Sequence, residues 1–419
     1  MKIEKLYKLI SGKLCVTDTR KVVKDAVFFA LKGENFDGNT FALQSLKEGA
    51  SFAIIDDKKY HVSDKTILVT DVLSTLQQVA AYHRKQIGLP IIAITGSNGK
   101  TTTKELIGTV LSKKYKTVTT KGNLNNHIGV PLTLLSMTKD TEIGVVEMGA
   151  NHLGEIEFLC KIAQPNFGYV TNFGKAHLEG FGSLEGVIKT KSELYKYLKE
   201  NEALAFVNTD DVIQVKQTLG LNRDSFNSEI MQLKSANPFV TILYKDVVMH
   251  SKLIGTYNYK NIAAAIAIGA FFDVPLQQIK EAIENYTPTN NRSQIIDKGA
   301  MQIILDAYNA NPTSMTLAIE NFNQLSRDFK MLVLGDMFEL GKTSKEEHQN
   351  IVNLLEISNF NKAYLIGSHF YETTVQNKNI FKFKTFDDFK SHFKAPKNGL
   401  LLIKASRGMA LERVVDLLV

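Results

Sequence analysis

The sequence predicts an α/β protein built on mostly parallel sheets, and three observations carry that reading. Short apolar runs recur along the chain with helix-length stretches between them, the alternation that winds strands into parallel sheets. The runs fall into three sets, which divides the 419 residues into units at 1–86, 87–290 and 291–419. Several runs end in glycine or in Asp, Asn or Glu, and open α/β sheets bind ligands at the carboxyl ends of their strands.

Taken in order, the first unit holds the strand candidates "AVFFAL" and "SFAIID", then "VLSTLQQVAAYHRKQIG", which reads as a helix. The second opens on "PIIAIT" at 90–95 and continues through "IGVVEM", "FGYVTN" and "ALAFVN". The third, "MQIILDAY", "KMLVLGDM", "KAYLIGSH" and "LLLIKASRG", is expected to form a second, smaller doubly wound sheet. The runs lead into Gly96, Glu147, Asn172, Asp306 and Asp336. Each of these also suits a plain turn; as a set they point to two facing sites.

Hydrophobic residues make up 44% and charged residues 22%, with only 8 prolines, a globular composition. No apolar run approaches the ~20 residues of a membrane span, so no membrane insertion is expected. The opening "MKIEKLYKLISGKL" lacks the apolar core and cleavage site of a secretory signal. Cys15 and Cys160 are the only cysteines, too few for a metal cluster and in keeping with a reduced, cytoplasmic enzyme. The formal net charge is +7, but the lysines are scattered rather than gathered in a stripe. That argues against a nucleic-acid partner. A basic soluble surface or a polyanionic substrate remains.

The stretch "ITGSNGKTTT" at 94–103 joins an apolar strand to an amphipathic helix. Only Ser97 and Asn98 separate Gly96 from Gly99, fewer than in the usual phosphate loop. Glycines let backbone N–H groups turn onto phosphate oxygens, and the helix N-terminus adds its dipole. Lys100 would reach the terminal phosphates and Thr101 would face Mg²⁺. Thr95, Gly96, Ser97, Asn98, Gly99 and Thr102 complete a loop for a nucleoside triphosphate, expected to be ATP. A capped turn would explain the glycines but not Gly-Lys-Thr-Thr between a strand and a helix.

This short loop, Thr95 to Thr101, resembles that of the Mur ligase family, whose members build the peptide stem of the bacterial cell wall. Other segments resemble the family in the same order: "TKGNLNNHIGVPLTLL" at 120–135, "EMGANHLGEI" at 147–156, "TNFGKAHLEGFGS" at 171–183 and "KTKSELY" at 189–195. "GTYNYKNIAAAIA" at 255–267 is similar to a further motif, with Tyr257 where the family usually has His. "DAYNANPTSM" at 306–315 and "VLGDMFELG" at 333–341 are most similar to the member that adds D-alanyl-D-alanine, and "DTRKVVKDAVFFALKGENFDG" at 18–38 to its substrate domain. The resemblance covers almost the whole chain. It implies three domains: a small α/β domain for the UDP-sugar, a central ATP-binding domain and a Rossmann-like last domain. It also implies the reaction. ATP phosphorylates the terminal carboxylate of UDP-N-acetylmuramoyl-tripeptide, and the amine of D-alanyl-D-alanine displaces phosphate. No other partner is implied, and the protein is expected to be a monomer.

Residue roles follow from the same resemblance. Activating a carboxylate with ATP gathers anions that Mg²⁺ must neutralise with few protein ligands, and Thr101 and Glu147 offer oxygen donors. His177 joins the metal or γ-phosphate site; a lone His is more often structural. Lys191 is the lysine expected to be carbamylated by CO₂ into an anion that helps hold a second Mg²⁺, which needs a neutral amine in a pKa-lowering pocket; otherwise it is a solvated lysine, with Lys189 as a decoy. Asn258 and Asn261 share a helix face assigned to adenine, although Asn261 also reads as a polar surface residue. Arg292 reaches the ATP phosphates, Asp306 the ribose or hinge, and Tyr308, Asn309 and Asn311 the gap between domains. Asn125 and Asn126 belong with the substrate. Lys404, Ser406 and Arg407 form an anion contact. Asp336, Glu339 and His348 surround the amine, with helix capping an equal reading for the acids. Thr19, Arg20 and Lys32 hold the UDP diphosphate, in a stretch whose Gly33, Asp37 and Gly38 are also turn formers.

Two other readings keep or change the class. A tripeptide-forming Mur ligase or a folylpolyglutamate synthetase relative would share the fold; the Y-N-A-N-P run is present, and the D-N-P-R run of diaminopimelate-adding relatives is absent. A P-loop motor or nucleic-acid ATPase would want basic-aromatic strips, which the sequence lacks.

Overall fold

The computed structural model describes residues 2–289 and 291–418, so the expected limits at 1, 290 and 419 lie outside the described residues. The first unit carries a parallel sheet of four short strands in the order Cys15–Val16, Val27–Phe29, Phe52–Ile55, Thr66–Leu68. Helix Val72–Ile87 covers it through Val72, Leu76 and Val79, spaced to fall on one face. The helix has clear ends: the Asp71 side chain accepts from Ser74 N–H, and Gly88 closes it in the left-handed region.

Six parallel strands form the central sheet, in the order Asn222–Phe226, Leu204–Asn208, Phe167–Val170, Ile91–Thr95, Ile143–Glu147, Thr117–Thr119. Ile91–Thr95 is buried along its whole length, as a strand covered on both faces must be. From it the chain runs out to Thr117–Thr119, returns to Ile143–Glu147, and then crosses to Phe167–Val170 on the other side. Such a reversal leaves a crevice at the carboxyl ends. Register brings Ile94 beside Glu147 and Thr95 beside Val170, so the phosphate loop leaves its strand between Glu147 and Asn172.

A three-stranded antiparallel sheet, Met231–Ser235, Phe239–Tyr244 and Val247–Ile254, was not anticipated. Its residues alternate between core and surface, so it presents no continuous apolar run. The buried face, with Val240, Ile242 and Met249, joins the core around helix Thr256–Phe271, which packs on helix Lys100–Leu111 behind the loop.

The third sheet runs Gln294–Lys298, Met301–Asp306, Gly399–Lys404, Lys330–Gly335, Lys362–Ile366, Ile380–Phe383; all neighbours are parallel except the first pair. It equals the central sheet in strand number, which corrects the expectation of a smaller one. The extra strands are its edges, where half-exposed polar residues interrupt the apolar pattern. No helix among the described residues is long and apolar enough to cross a membrane. Cys15 and Cys160 are unpaired.

Candidate active site

The carboxyl ends of the central and third sheets open on one cavity of about 890 Å³, a size suited to a small-molecule site. The expected pair of facing sites is thus a single cleft, bordered by Glu147, Asn172 and Asp306 but not by Asp336.

The phosphate loop is shaped by contacts no other residues would permit. Gly96 has φ 139°, and a Cβ there would overlap Thr171 Oγ1. Gly99 starts the helix at φ 78°, and its Cβ would lie 2.6 Å from Asn261 Oδ1. Only glycine meets both demands. Thr95 Oγ1 donates to Met148 O (2.8 Å) and Ser97 Oγ to Gly174 O (2.8 Å), fixing the loop to its neighbours. Asn98 N–H donates to Asn172 Oδ1 (3.1 Å), and Asn98 O accepts from Thr171 Oγ1 (2.6 Å). Lys100 Nζ donates to the carbonyls of Gly96 (2.7 Å) and Ser97 (3.1 Å). Burial brings its pKa down to about 8, with Glu147 opposing that shift and Arg292 adding to it.

Glu147 is 1% exposed. Its Oε1 accepts from Thr101 Oγ1 (3.1 Å) and Asn125 Nδ2 (2.8 Å), while Oε2 has no hydrogen-bond partner among the described residues. Among those residues no group of three or more His, Cys, Asp or Glu converges. Mg²⁺ needs no such group, since it keeps waters and shares phosphate oxygens with one or two carboxylates. The orphaned Oε2 beside the Thr101 hydroxyl therefore fits it. Thr102 is buried and lines the cavity, whereas Asn126 is exposed there and its Oδ1 accepts from Ile128 and Gly129 N–H.

Lys104, which sequence reasoning passed over, is 1% exposed with Nζ 3.7 Å from Glu147 Oε2. The signal was available: Lys104 follows Lys100 by one helical turn and shares its face.

His177 lines the cavity at φ 51°, with its Nδ1 against the Glu339 carboxylate and its ring edge-on to Phe181. That His177 ring holds the Glu339 carboxyl below its ordinary range. Lys191 lies just outside the lining. It is 0% exposed, donates to Ala150 O (3.2 Å) and sits over the Phe181 ring. Desolvation above all, then the nearby Lys100 charge, push its amine well below the usual lysine value.

Asn258 and Asn261 are buried and bonded to each other, and Asn261 Oδ1 accepts from Thr103 Oγ1 (3.1 Å). They brace the phosphate-loop helix while bordering the cavity, so Asn261 is no polar surface residue. Tyr257 donates to or accepts from Ser293 Oγ (2.8 Å) instead of standing free. From the third domain, Arg292 stacks on Tyr308 at 3.7 Å, with its buried Nε unpartnered among the described residues. Asp306 and Lys404, cross-strand neighbours, form a 2.6 Å ion pair, and Lys404 also reaches Asn309 O. Asn311 caps helix Pro312–Gln324 and donates to Asn98 Oδ1 (2.7 Å), joining the third domain to the phosphate loop.

Several expected residues lie elsewhere. Asp336 is 2% exposed, and its carboxylate accepts from His369 N–H (3.0 Å) and Phe370 N–H (2.9 Å). Both oxygens accept from backbone amides of the short helix Ser368–Tyr371, further along the chain than the next helix. His348 is equally spent, accepting from Met337 N–H and donating to Ser344 O. Ser406 accepts from Phe338 N–H, and exposed Arg407 pairs with Glu412, so of the last-strand group only Lys404 borders the cavity. In the first domain Arg20 is bonded to Asp18 and Lys32 to Asp56 (2.8 Å), with Thr19 in the short turn between. None of the three lines the cavity.

Comparisons with known proteins identify the family. Residues 94–269 match the Mur ligase middle domain and residues 291–406 the Mur ligase, glutamate ligase domain. The UDP-N-acetylmuramoyl-tripeptide–D-alanyl-D-alanine ligase of Bacillus subtilis is 35% identical, over 95% of this chain and 91% of that protein. MurF from Acinetobacter baumannii superposes with a TM-score of 0.84 at 30% identity, covering 96% of this chain and 92% of that one. A MurF ligase from Thermotoga maritima, solved in complex with ADP, gives 0.82 at 30% identity, covering 96% of each. On kinship that runs nearly end to end, the chain belongs to the Mur ligase family.

Proposed function

We propose that this protein joins D-alanyl-D-alanine to UDP-N-acetylmuramoyl-tripeptide at the expense of ATP, giving the UDP-linked pentapeptide, ADP and phosphate. One observation carries the reading most directly: Asn311, in the Tyr308–Pro312 segment, is bonded to Asn98 of the phosphate loop. This contact supports placing the segment that resembles the D-alanyl-D-alanine-adding ligases beside the γ-phosphate site. The domains are taken as 1–86 for the UDP-sugar, 87–290 for ATP and 291–419 closing on both.

In this reading the loop amides and Lys100 hold the phosphates, with Lys100 exchanging its carbonyl partners for phosphate oxygens. Thr101 and Glu147 would hold Mg²⁺, which neutralises phosphate charge and draws electrons from the terminal phosphorus. Arg292 donates from the third domain to the same phosphates. A carboxylate oxygen of the tripeptide attacks the γ-phosphorus, the bond to ADP breaks, and an acyl phosphate forms. The dipeptide amine attacks its carbonyl carbon, loses a proton, and the tetrahedral intermediate expels phosphate. Asn309 and Lys404 border the space where the amine must stand, and Asn125 and Asn126 the substrate side. Thr19, Arg20 and Lys32 are the cations and hydroxyl of the first domain offered to the diphosphate.

Lys191 is proposed to carry a carbamate: its neutral amine adds to CO₂ and releases a proton. The buried position and the lowered pKa support this. A carbamate ¹³C resonance grown on labelled bicarbonate should vanish in Lys191→Ala, and short carboxylates should partly restore that variant's turnover. Wild-type turnover in Lys191→Ala would remove the role.

The deciding experiment for the function is phosphate release from ATP and Mg²⁺ with UDP-N-acetylmuramoyl-tripeptide, with and without D-alanyl-D-alanine. Release that needs both, with the pentapeptide seen by mass spectrometry, is expected. Release with a single amino acid in place of the dipeptide would move the protein to a neighbouring ligase.

A further inference from the structure

The central and third domains touch beside His177 through a contact the reaction scheme does not use. Glu339 lies on the loop after strand Lys330–Gly335, at φ 62°, a conformation a side-chain-bearing residue adopts only when its surroundings hold it. Its carbonyl accepts from Glu179 N–H (3.0 Å). Gly341, two residues on, packs against the Glu179 backbone. These contacts set the Glu339 carboxylate against His177 Nδ1. His177 is itself at φ 51°, and the Phe181 ring meets the imidazole edge-on. His177 borders the cavity.

We infer that Glu339 is a positioning residue: it fixes the His177 ring with Nδ1 turned to the third domain and Nε2 left for the reacting groups. His177 belongs to the central domain and Glu339 to the third, so the pair exists only when the two domains are together. Closure would then complete the site as well as shut it. A ring nitrogen's role is set by what the other nitrogen faces, and here Nδ1 faces a carboxylate supplied by another domain. This inference rests on the ligase reading for its kinetic consequence but not for its geometry.

A second interdomain ion pair separates positioning from mere adhesion. Lys175 Nζ lies 2.7 Å from Glu347 Oε1 on the same interface, and among the described residues its ammonium pairs with no residue of the reaction scheme. The test compares Glu339→Gln, Lys175→Ala, His177→Ala and the double variant His177→Ala/Glu339→Gln, each checked for an unchanged melting temperature. Glu339→Gln is expected to lower kcat at least tenfold while KM for ATP moves less than threefold. The double variant should be no slower than His177→Ala, and Lys175→Ala should stay within threefold of wild type. Losses that multiply, or an equal loss in Lys175→Ala, would overturn the inference. A readout independent of turnover is the ¹⁵N signal of the His177 ring, assigned by its absence in His177→Ala. It should shift in Glu339→Gln, and an unchanged signal overturns the inference even if the ligated amine is another one. Failure of the wild type to ligate, with the ring signal shifted, would count against the proposed function alone.

Discussion

Lys100 and Lys32 are both lysines that the sequence offers to phosphate, and the molecule treats them in opposite ways. Lys100 is held over glycine and serine carbonyls in a loop whose geometry depends on two left-handed glycines, with its pKa lowered to about 8. Lys32 is exposed, and Asp56 already neutralises it. The same contrast separates the cleft from the Asp336 corner. In the cleft, among the described residues, Glu147 keeps one oxygen and Arg292 one buried N–H without a hydrogen-bond partner. At the corner, Asp336 gives both oxygens to backbone amides. A polar side chain is available to a ligand when the fold holds it but leaves part of it unsatisfied, because an unmet buried donor or acceptor costs more than a bond replaced.

Removing Lys100 should break the comparison most widely. Lys100→Ala is expected to lower kcat/KM by about 10²–10³-fold, as loss of a preorganised donor to a reacting oxyanion does. The measurement is phosphate release under saturating tripeptide and dipeptide. A loss under tenfold would place the phosphates on other groups.

The lowered Lys100 pKa gives a second, sharper test. Free protein at pH 8.5 holds this amine largely neutral, and a bound phosphate favours its charged form. Binding ADP without metal should therefore take up a fraction of a proton at pH 8.5 and little at pH 6.5, where the amine is already charged. Calorimetry in buffers of different ionisation enthalpy reads this directly. Uptake that persists in Lys100→Met would assign the proton elsewhere.

Asp336→Ala tests the other side of the contrast. Two charged hydrogen bonds from backbone amides are lost in a buried corner, at about 1.5–3 kcal/mol for such bonds. The melting temperature should fall by several degrees, while KM for D-alanyl-D-alanine stays within twofold. A selective rise in that KM, with stability intact, would return Asp336 to the amine site.

These cases show which parts were legible in the chain. The phosphate loop is a local object: strand, glycines, lysine and helix lie within residues 91–111, and one segment specifies them all. Glu147 and Asn172 were readable from strand ends because parallel register carries those ends to one crevice. The antiparallel sheet at 231–254 was missed because alternation hides it from a search for apolar runs. Asp336 was ambiguous because its partners, His369 and Phe370, belong to the short helix Ser368–Tyr371 that follows another strand. The Asn98–Asn311 and His177–Glu339 contacts join different domains, and nothing in local periodicity pairs them.

The smallest expected effect lies in the first domain. Arg20 is paired with Asp18, through Nε at 3.0 Å and Nη2 at 2.8 Å, on an exposed surface. Exposed pairs of this kind contribute little to stability, and a diphosphate would have to compete with a carboxylate already in place. Arg20→Ala should therefore raise KM for UDP-N-acetylmuramoyl-tripeptide by about fivefold at most, with kcat unchanged. Asp18→Asn, which frees the guanidinium, should lower that KM if Arg20 meets the diphosphate at all. If Arg20→Ala instead raises KM tenfold or more, the substrate displaces Asp18 and the first domain stores its cation in a locally paired form. If neither variant moves KM, the diphosphate is held by other groups, and the resemblance in this stretch reflects turn chemistry alone.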